Sequence, residues 1–496
     1  MSARNLLAPV ACVAALAGLG AGAGMVQPRA GHAVAPRAGS APVDTVTLVC
    51  PSVTGTAAGL VTTMAVADLG AALPGGRSRV AVTALRLPNA APPAPGSKPP
   101  PPAAAPRAFA LAPSPVATLV KSTPYDAVAL TARGPGAAHV AADQVGLQAQ
   151  GLGRGATDSP CLPPAGDWWF AGADGEVGFD GAVTLANPTN TLANIAVTAW
   201  SASGPLRLAG LDALTLPPRS SLGLKVAAFA PNARNVAIHV HALSGSVVAA
   251  LSYRRIYGIH PGGSDWIPPT SPQQGFVVAG LPSGPGSRHL MLANPGSRDA
   301  TVGLRLLTRT GNFEPAGHQS VVVPAGRTVD VDLSAAVAAE PAAIVGSSDQ
   351  PVLAEARMTA HARAQYDDMA WVPASGPLSG PAGLAASTAP FNQSVYVVLA
   401  APRSAAKLRI AAPGGAAAVV TVPAGRTVQV DPRLLLHLTS VGALAFVPVG
   451  AEPVYATRVL YAKGTHGPLL TTEVPVVLPA PIVLPPVVED PRAATR

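Results

Sequence analysis

Residues Val323–Leu333 read VPAGRTVDVDL, and Val422–Pro432 read VPAGRTVQVDP. The first seven residues are identical across an offset of 99 positions. A phrase written twice is either a functional loop held in two copies or a scaffold part that each of two units needs. Its chemistry favours the scaffold. Proline presets φ and glycine can take positive φ, so Pro-Ala-Gly reads as a turn. The residues after it alternate. Val329 and Val331, or Val428 and Val430, point to one side, while Thr328, Asp330 and Asp332 point to the other. That is the period of a half-buried strand. A weaker third version, LPPRSSLGLKV, begins at Leu216 and has Arg219 but no glycine in the turn. A catalytic loop would hardly tolerate that change.

The phrase belongs to a larger repeat. Asn187-Pro188 and Asn294-Pro295 each precede an alternating run, and Pro188, Pro295 and Pro402 are spaced by 107 and 107 residues. Each unit ends on another strand-like segment: SVVAALSYR, QPVLAEARM and EPVYATRVL. Tryptophans stand at the unit boundaries, at Trp168-Trp169, Trp266 and Trp371. The middle unit offers seven short strands, near 276–280, 288–293, 300–308, 319–323, 327–333, 342–346 and 351–359. Seven strands in about 100 residues is the immunoglobulin-like sandwich pattern. The units lack an internal cysteine pair, which excludes antibody-type domains. Leu333–Glu340 (LSAAVAAE) is the one helical segment expected here.

The region before the repeats reads as strands at TVTLVC, RSRVAVTALRL and DAVALTAR, interrupted by a Pro-rich insertion at 89–108. DAVALTAR echoes the closing strand of a repeat. The expected fold class is therefore all-β: tandem immunoglobulin-like β-sandwich domains behind a divergent N-terminal β-domain. The division is 1–35 signal peptide or anchor, 36–162 divergent β-domain, 163–266, 267–372 and 373–473 repeats, and 474–496 Pro-rich tail.

Composition agrees with many strands and turns. The chain has 496 residues, 4% aromatic and 12% charged, with 50 glycines and 55 prolines. Arg4 followed by the apolar run Leu6–Val26 resembles an export signal, with Ala33-Val34-Ala35 as a cleavage site. An uncleaved anchor is the alternative, because about 20 apolar residues can span a bilayer. The tail Val474–Val488 carries five prolines and reads as an extended polyproline-like strand or tether. Cleavage after Ala35 removes Arg4 and Arg29, taking the net charge from +8 to +6. The remaining basic residues are scattered, so nucleic acid is not an implied partner. Cys12 leaves with a cleaved signal. Cys50 and Cys161 then most simply pair with each other in an oxidising compartment. Two unrelated buried thiols are the alternative.

An exported-type start, an early Val-Cys-Pro cysteine at Cys50, a second cysteine shortly before Asp167-Trp168-Trp169, and the Asn-Pro and PAGRTV repeats resemble a family of exported actinobacterial proteins of unknown function. The resemblance implies a secreted or envelope location and a β-rich build. It implies no active site.

Few constellations carry chemistry. His239 and His241 in AIHVHAL share one strand face and are a weak metal candidate, lacking a third ligand that the sequence names. Asp367-Asp368 is an alternative cation site but lies in no calcium-loop pattern. Asp330 and Asp332 share a face, yet the other copy has Gln429 in place of Asp330. Nucleophile-elbow, Ser-x-x-Lys and His-Glu-x-x-His motifs are not found in convincing form. Trp168, Trp169 and Trp371 are candidate ligand-stacking residues, with interdomain packing as the bland alternative. Trp200 is expected in the core. No cofactor is implied. The expected function is that of an extracytoplasmic, non-enzymatic protein of the cell envelope, structural or interacting with envelope proteins. Binding of cell-wall glycan through boundary tryptophans is the alternative. Membrane contact would come only through the N-terminal segment, if it is uncleaved.

Overall fold

The computed structural model describes residues 39–51, 60–74, 80–90, 106–111, 116–120, 126–337, 340–363, 365–385 and 394–484. The signal or anchor segment and most of the Pro-rich insertion lie outside them. The described chain is nearly all β. No described helix is long and apolar enough to cross a membrane. Two compact units are present. The small one is a two-stranded antiparallel ribbon, Gly39–Ala41 against Ile482–Leu484, so part of the Pro-rich tail is a paired strand. The large unit, Pro42–Ala480, holds four β-sandwiches.

All four sandwiches are wired alike. In the first repeat the strands are Asp167–Ala173, Ala182–Asn187, Ala193–Ser201, the pair Gly204–Leu206 and Leu214–Leu216, Ser220–Lys225, Val236–Ser244, Val248–Tyr257 and His260–Ile267. The first strand pairs with the sixth, the sixth with the third, and the third with the fourth. The second sheet runs fifth, second, seventh, eighth. The N-terminal region follows the same order, with Thr45–Cys50, Ala127–Arg133, Ala81–Leu87 and Arg107–Ala110 in one sheet. Its other sheet is Val116–Val120, Leu60–Asp68, Val140–Gln148 and Gly155–Pro160. It thus diverges in sequence but not in topology. Ala127–Arg133 is its sixth strand, so the likeness of DAVALTAR to a closing strand was misleading. In the middle repeat the two segments expected at 342–346 and 351–359 are one strand, Ala342–Ala360. Its first half pairs in one sheet and its second half in the other. Pro351 sits at the crossing, where a missing N–H costs no ladder bond. The described part of Leu333–Glu340 forms turns, not a helix.

The opening phrase has two structural duties. Gly326 and Gly425 both have φ of 65°, and Arg219 takes the same place in the first repeat with φ of 53°. The left-handed conformation is therefore kept even where a Cβ disfavours it. A buried asparagine fastens the turn: the Asn294 side chain donates to the carbonyls of Arg298 (2.7 Å) and Val323 (3.0 Å), and Asn187 does the same in the first repeat. The second duty is docking. The threonine of the phrase does not face solvent. Thr328 and Thr427 are buried, and Thr427 Oγ1 donates to the Pro341 carbonyl of the preceding sandwich (3.0 Å). A Cβ on Gly425 would meet Asn312 of that sandwich at 2.5 Å. In the first repeat, Ser221 N donates to the Pro88 carbonyl (2.9 Å) of the N-terminal sandwich.

The four sandwiches close on one another. The last repeat meets the N-terminal sandwich through an apolar layer that includes Ala65, Leu69, Ala141, Ala411, Ala445 and Leu478. Arg409 also donates to the Ala72 carbonyl (2.6 Å). The eighth strands of all four meet in the middle. Gly155–Pro160 and Asp368–Pro373 each pack against both His260–Ile267 and Gly467–Glu473.

Two buried carboxylates clasp this axis. Asp265 accepts from Asp158 N (3.3 Å), Trp371 N (3.3 Å) and Thr471 Oγ1 (3.0 Å), one donor in each of the other three sandwiches. Asp368 accepts from Ala156 N (2.9 Å), Leu470 N (2.9 Å) and Ser264 N (3.3 Å), again one in each. Burial pushes Asp265 well above the usual carboxylate range and raises Asp368 to about 7. The folded state therefore binds protons that the unfolded state releases near pH 4. Stability from Asp368 is fully present below the unfolded value and lost as pH rises from about 4 to about 7, by up to ~4 kcal/mol. Denaturant titrations should find the protein more stable at pH 5 than at pH 8. Asp368→Asn should flatten that difference; an unchanged pH slope would remove Asp368 as its source.

Candidate functional site

The structure supplies what the sequence lacked at His239 and His241. Their strand, Val236–Ser244, pairs with Asp167–Ala173 in a register that sets Asp167 across from His241 and Trp169 across from His239. Period-2 alternation then puts Asp167, Trp169, His239 and His241 on one outer face, with Trp168, Phe170, Ile238 and Val240 in the core. Asp167 Oδ1 lies 2.8 Å from His239 Nε2 and 2.8 Å from His241 Nδ1. The three ligand-type atoms lie within 4.8 Å of one another. The indole of Trp169 lies flat on the His239 imidazole, with centroids 3.6 Å apart and 7° between planes, and it also stacks with Trp200, with centroids 5.7 Å apart. Side-chain exposure is 18% for His239, 46% for His241 and 55% for Asp167. The hydrogen bonds from the histidines hold the Asp167 carboxyl below its ordinary value. Burial lowers His239 against the opposing pull of Asp167.

The other sequence candidates fall elsewhere. Trp168 is buried, and its Nε1 donates to the Val247 carbonyl (2.9 Å). Trp371 is fully buried among core residues of the first repeat, with Tyr253 edge-on at 5.4 Å. Trp371 therefore has no exposed ring for ligand stacking, and Trp168 is only 7% exposed. Trp169 is only partly buried, but His239 covers one of its faces. The tryptophans also do not occupy equivalent places. Trp168 and Trp169 belong to a first strand, whereas Trp266 and Trp371 belong to eighth strands. Trp200, expected in the core, lies partly exposed on the outer sheet face. Asp367 pairs with His361 (2.7 Å) while its neighbour Asp368 turns into the axis, so the two do not form one cation site. Asp330 meets His289 (2.8 Å) and Asp332 caps Ser334, which separates that pair as well.

A second acidic group, Asp143, Asp158 and Glu473, surrounds the guanidinium of Arg458. All four side chains are 2% exposed or less. The cation already fills the point that a metal would need. Burial and the two neighbouring aspartates push Glu473 well up. A cavity of about 490 Å³ opens beside it at the ends of the eighth strands, lined by Trp168, Trp266, Pro268, Pro373 and Pro475 among others.

The chain belongs to a family of unknown function, DUF5719, whose model matches residues 116–433. No curated protein matches it. Among solved structures it is similar to one described as the crystal structure of Thermotoga maritima 1070, at 13% identity over 21% of this chain and 96% of that one. The TM-score of that match is 0.19, too low to carry an argument.

Proposed function

We propose that this chain is an exported, non-enzymatic component of the cell envelope, acting as a rigid scaffold that presents surfaces to other envelope proteins. We read its family as one of exported actinobacterial proteins. The closed arrangement of four sandwiches around two clasping carboxylates supports this reading most directly. Such a body holds its turns and edges at fixed separations, which suits a spacer or docking platform. The disulfide between Cys50 and Cys161 and the export-type start favour an oxidising, extracytoplasmic compartment. Cell-wall glycan is the weaker partner, because two of the candidate tryptophans, Trp168 and Trp371, are buried and His239 covers one face of Trp169. Fractionation of the producing cells tests the reading. The mature chain should appear in envelope or medium with its two cysteines oxidised, and cross-linking there should capture other envelope proteins. Recovery in the cytoplasm with two titratable thiols would overturn it. Saturable retention on purified cell-wall glycan, lost in Trp169→Ala, would replace it with glycan binding.

A further inference from the structure

We infer that Asp167, His239 and His241 form a binding site for one divalent transition-metal ion of the zinc class. The inference goes beyond the scaffold reading and does not depend on it. Three observations carry it. The donor set is two imidazole nitrogens and one carboxylate oxygen, the mixed set that zinc and its neighbours prefer over magnesium or calcium. The three donors converge from two adjacent strands whose register is fixed by the core residues behind them. His239 is held flat against Trp169, which sets the direction of its Nε2 before any ion arrives. That is the orienting role that outer-shell partners play at metal sites.

The fit needs local adjustment of donor atoms that already lie within 4.8 Å of one another. Around a tetrahedral zinc with ligand distances near 2.0–2.2 Å, donor atoms stand about 3.3–3.5 Å apart. Asp167 Oδ1 is now 2.8 Å from each nitrogen, so it must withdraw by about half an ångström. Asp167 is half exposed and free to do so. Binding exchanges hydrogen bonds for coordination. The N–H hydrogens now shared with Asp167 move to the other ring nitrogens, leaving His239 Nε2 and His241 Nδ1 as lone-pair donors. Three protein ligands leave a fourth position open on the solvent side, for water or for a donor from a partner.

Calorimetric titration of the purified protein with zinc sulfate in chelator-treated buffer tests the site. One equivalent should bind. His241→Ala and Asp167→Ala should each weaken binding at least about tenfold, as loss of a ligand or its support does. The double variant should not bind. Cobalt(II) should give visible d–d absorption and quench tryptophan fluorescence, and Trp169→Phe should reduce that quenching. Both substituted side chains lie on an outer sheet face, so thermal unfolding should show the variants folded. His260→Ala with His466→Ala, two histidines whose rings each lie near the Tyr366 ring away from this site, should leave the zinc isotherm unchanged. Absence of binding at 100-fold excess metal, binding that survives Asp167→Ala/His241→Ala, or binding lost in the His260/His466 variant would each overturn the assignment.

Discussion

Arg458→Met is expected to lower the unfolding free energy by about 3–5 kcal/mol at pH 7, the usual cost of removing one partner from a buried ion group. Arg458 reaches Asp143, Asp158 and Glu473 through one nitrogen, Nη2, and none of the four side chains is more than 2% exposed. Methionine fills similar volume, so the loss is electrostatic rather than a cavity. The stranded acids then repel one another in a medium that solvates them poorly. Acids stranded in this way have folded-state affinities for protons above their unfolded ones. Their stabilising contribution is present at low pH and is lost as pH rises, so the deficit should be larger at pH 8 than at pH 5. Arg458→Lys should recover part of it. Urea titrations at the two pH values decide the matter. A deficit below about 1 kcal/mol, or one that shrinks as pH rises, would show that the guanidinium does not hold the cluster.

Cys50→Ala/Cys161→Ala is expected to cost roughly 4–5 kcal/mol, from the entropy regained by an unfolded chain released from a long loop. The cysteines are 111 residues apart and bonded to each other. Cys50 ends the first strand of the N-terminal sandwich, and Cys161 follows its eighth. The backbone beside them is already bridged, Val49 N to the Leu162 carbonyl (2.8 Å) and back (3.1 Å). The native fold should therefore persist without the bond, with a lower denaturant midpoint. Both sulfurs are buried, so reductant should act on the native protein slowly. An unchanged midpoint in the double variant would place the stabilisation elsewhere.

Much of the architecture was legible because it is written in repeated local signals. The Pro-Ala-Gly turn, the alternating valines and the 107-residue spacing of Pro188, Pro295 and Pro402 reflect backbone sterics and half-buried strands, which act within a few residues. The N-terminal region kept the wiring while losing those signals, so its kinship with the repeats was visible only in the sheet order. Thr328 and Thr427 illustrate a different limit. Alternation set them opposite the core valines, but a second sandwich covers that side, and nothing local records the cover. Asp167 is the clearest miss at the candidate site. It shares a face with Trp169 by simple parity, yet it reaches His239 and His241 only through a pairing 72 and 74 residues away in sequence. The clasping role of the axis acids was hidden for the same reason: Asp265 drew no reading and Asp368 was read only with Asp367 as a cation candidate. Each lies within a tryptophan-bearing strand, and its three donors come from three different sandwiches.

The four sandwiches form one compact body rather than a string of independent domains. Differential scanning calorimetry of the protein at pH 6 tests this most directly. A single cooperative transition is predicted for the large unit, with calorimetric and van't Hoff enthalpies close to equal. Asp265→Ala, which strands one donor in each of the other three sandwiches, should broaden or split it. Two or more separable transitions in the unaltered protein would contradict the closed scaffold and leave only a flexible tandem array.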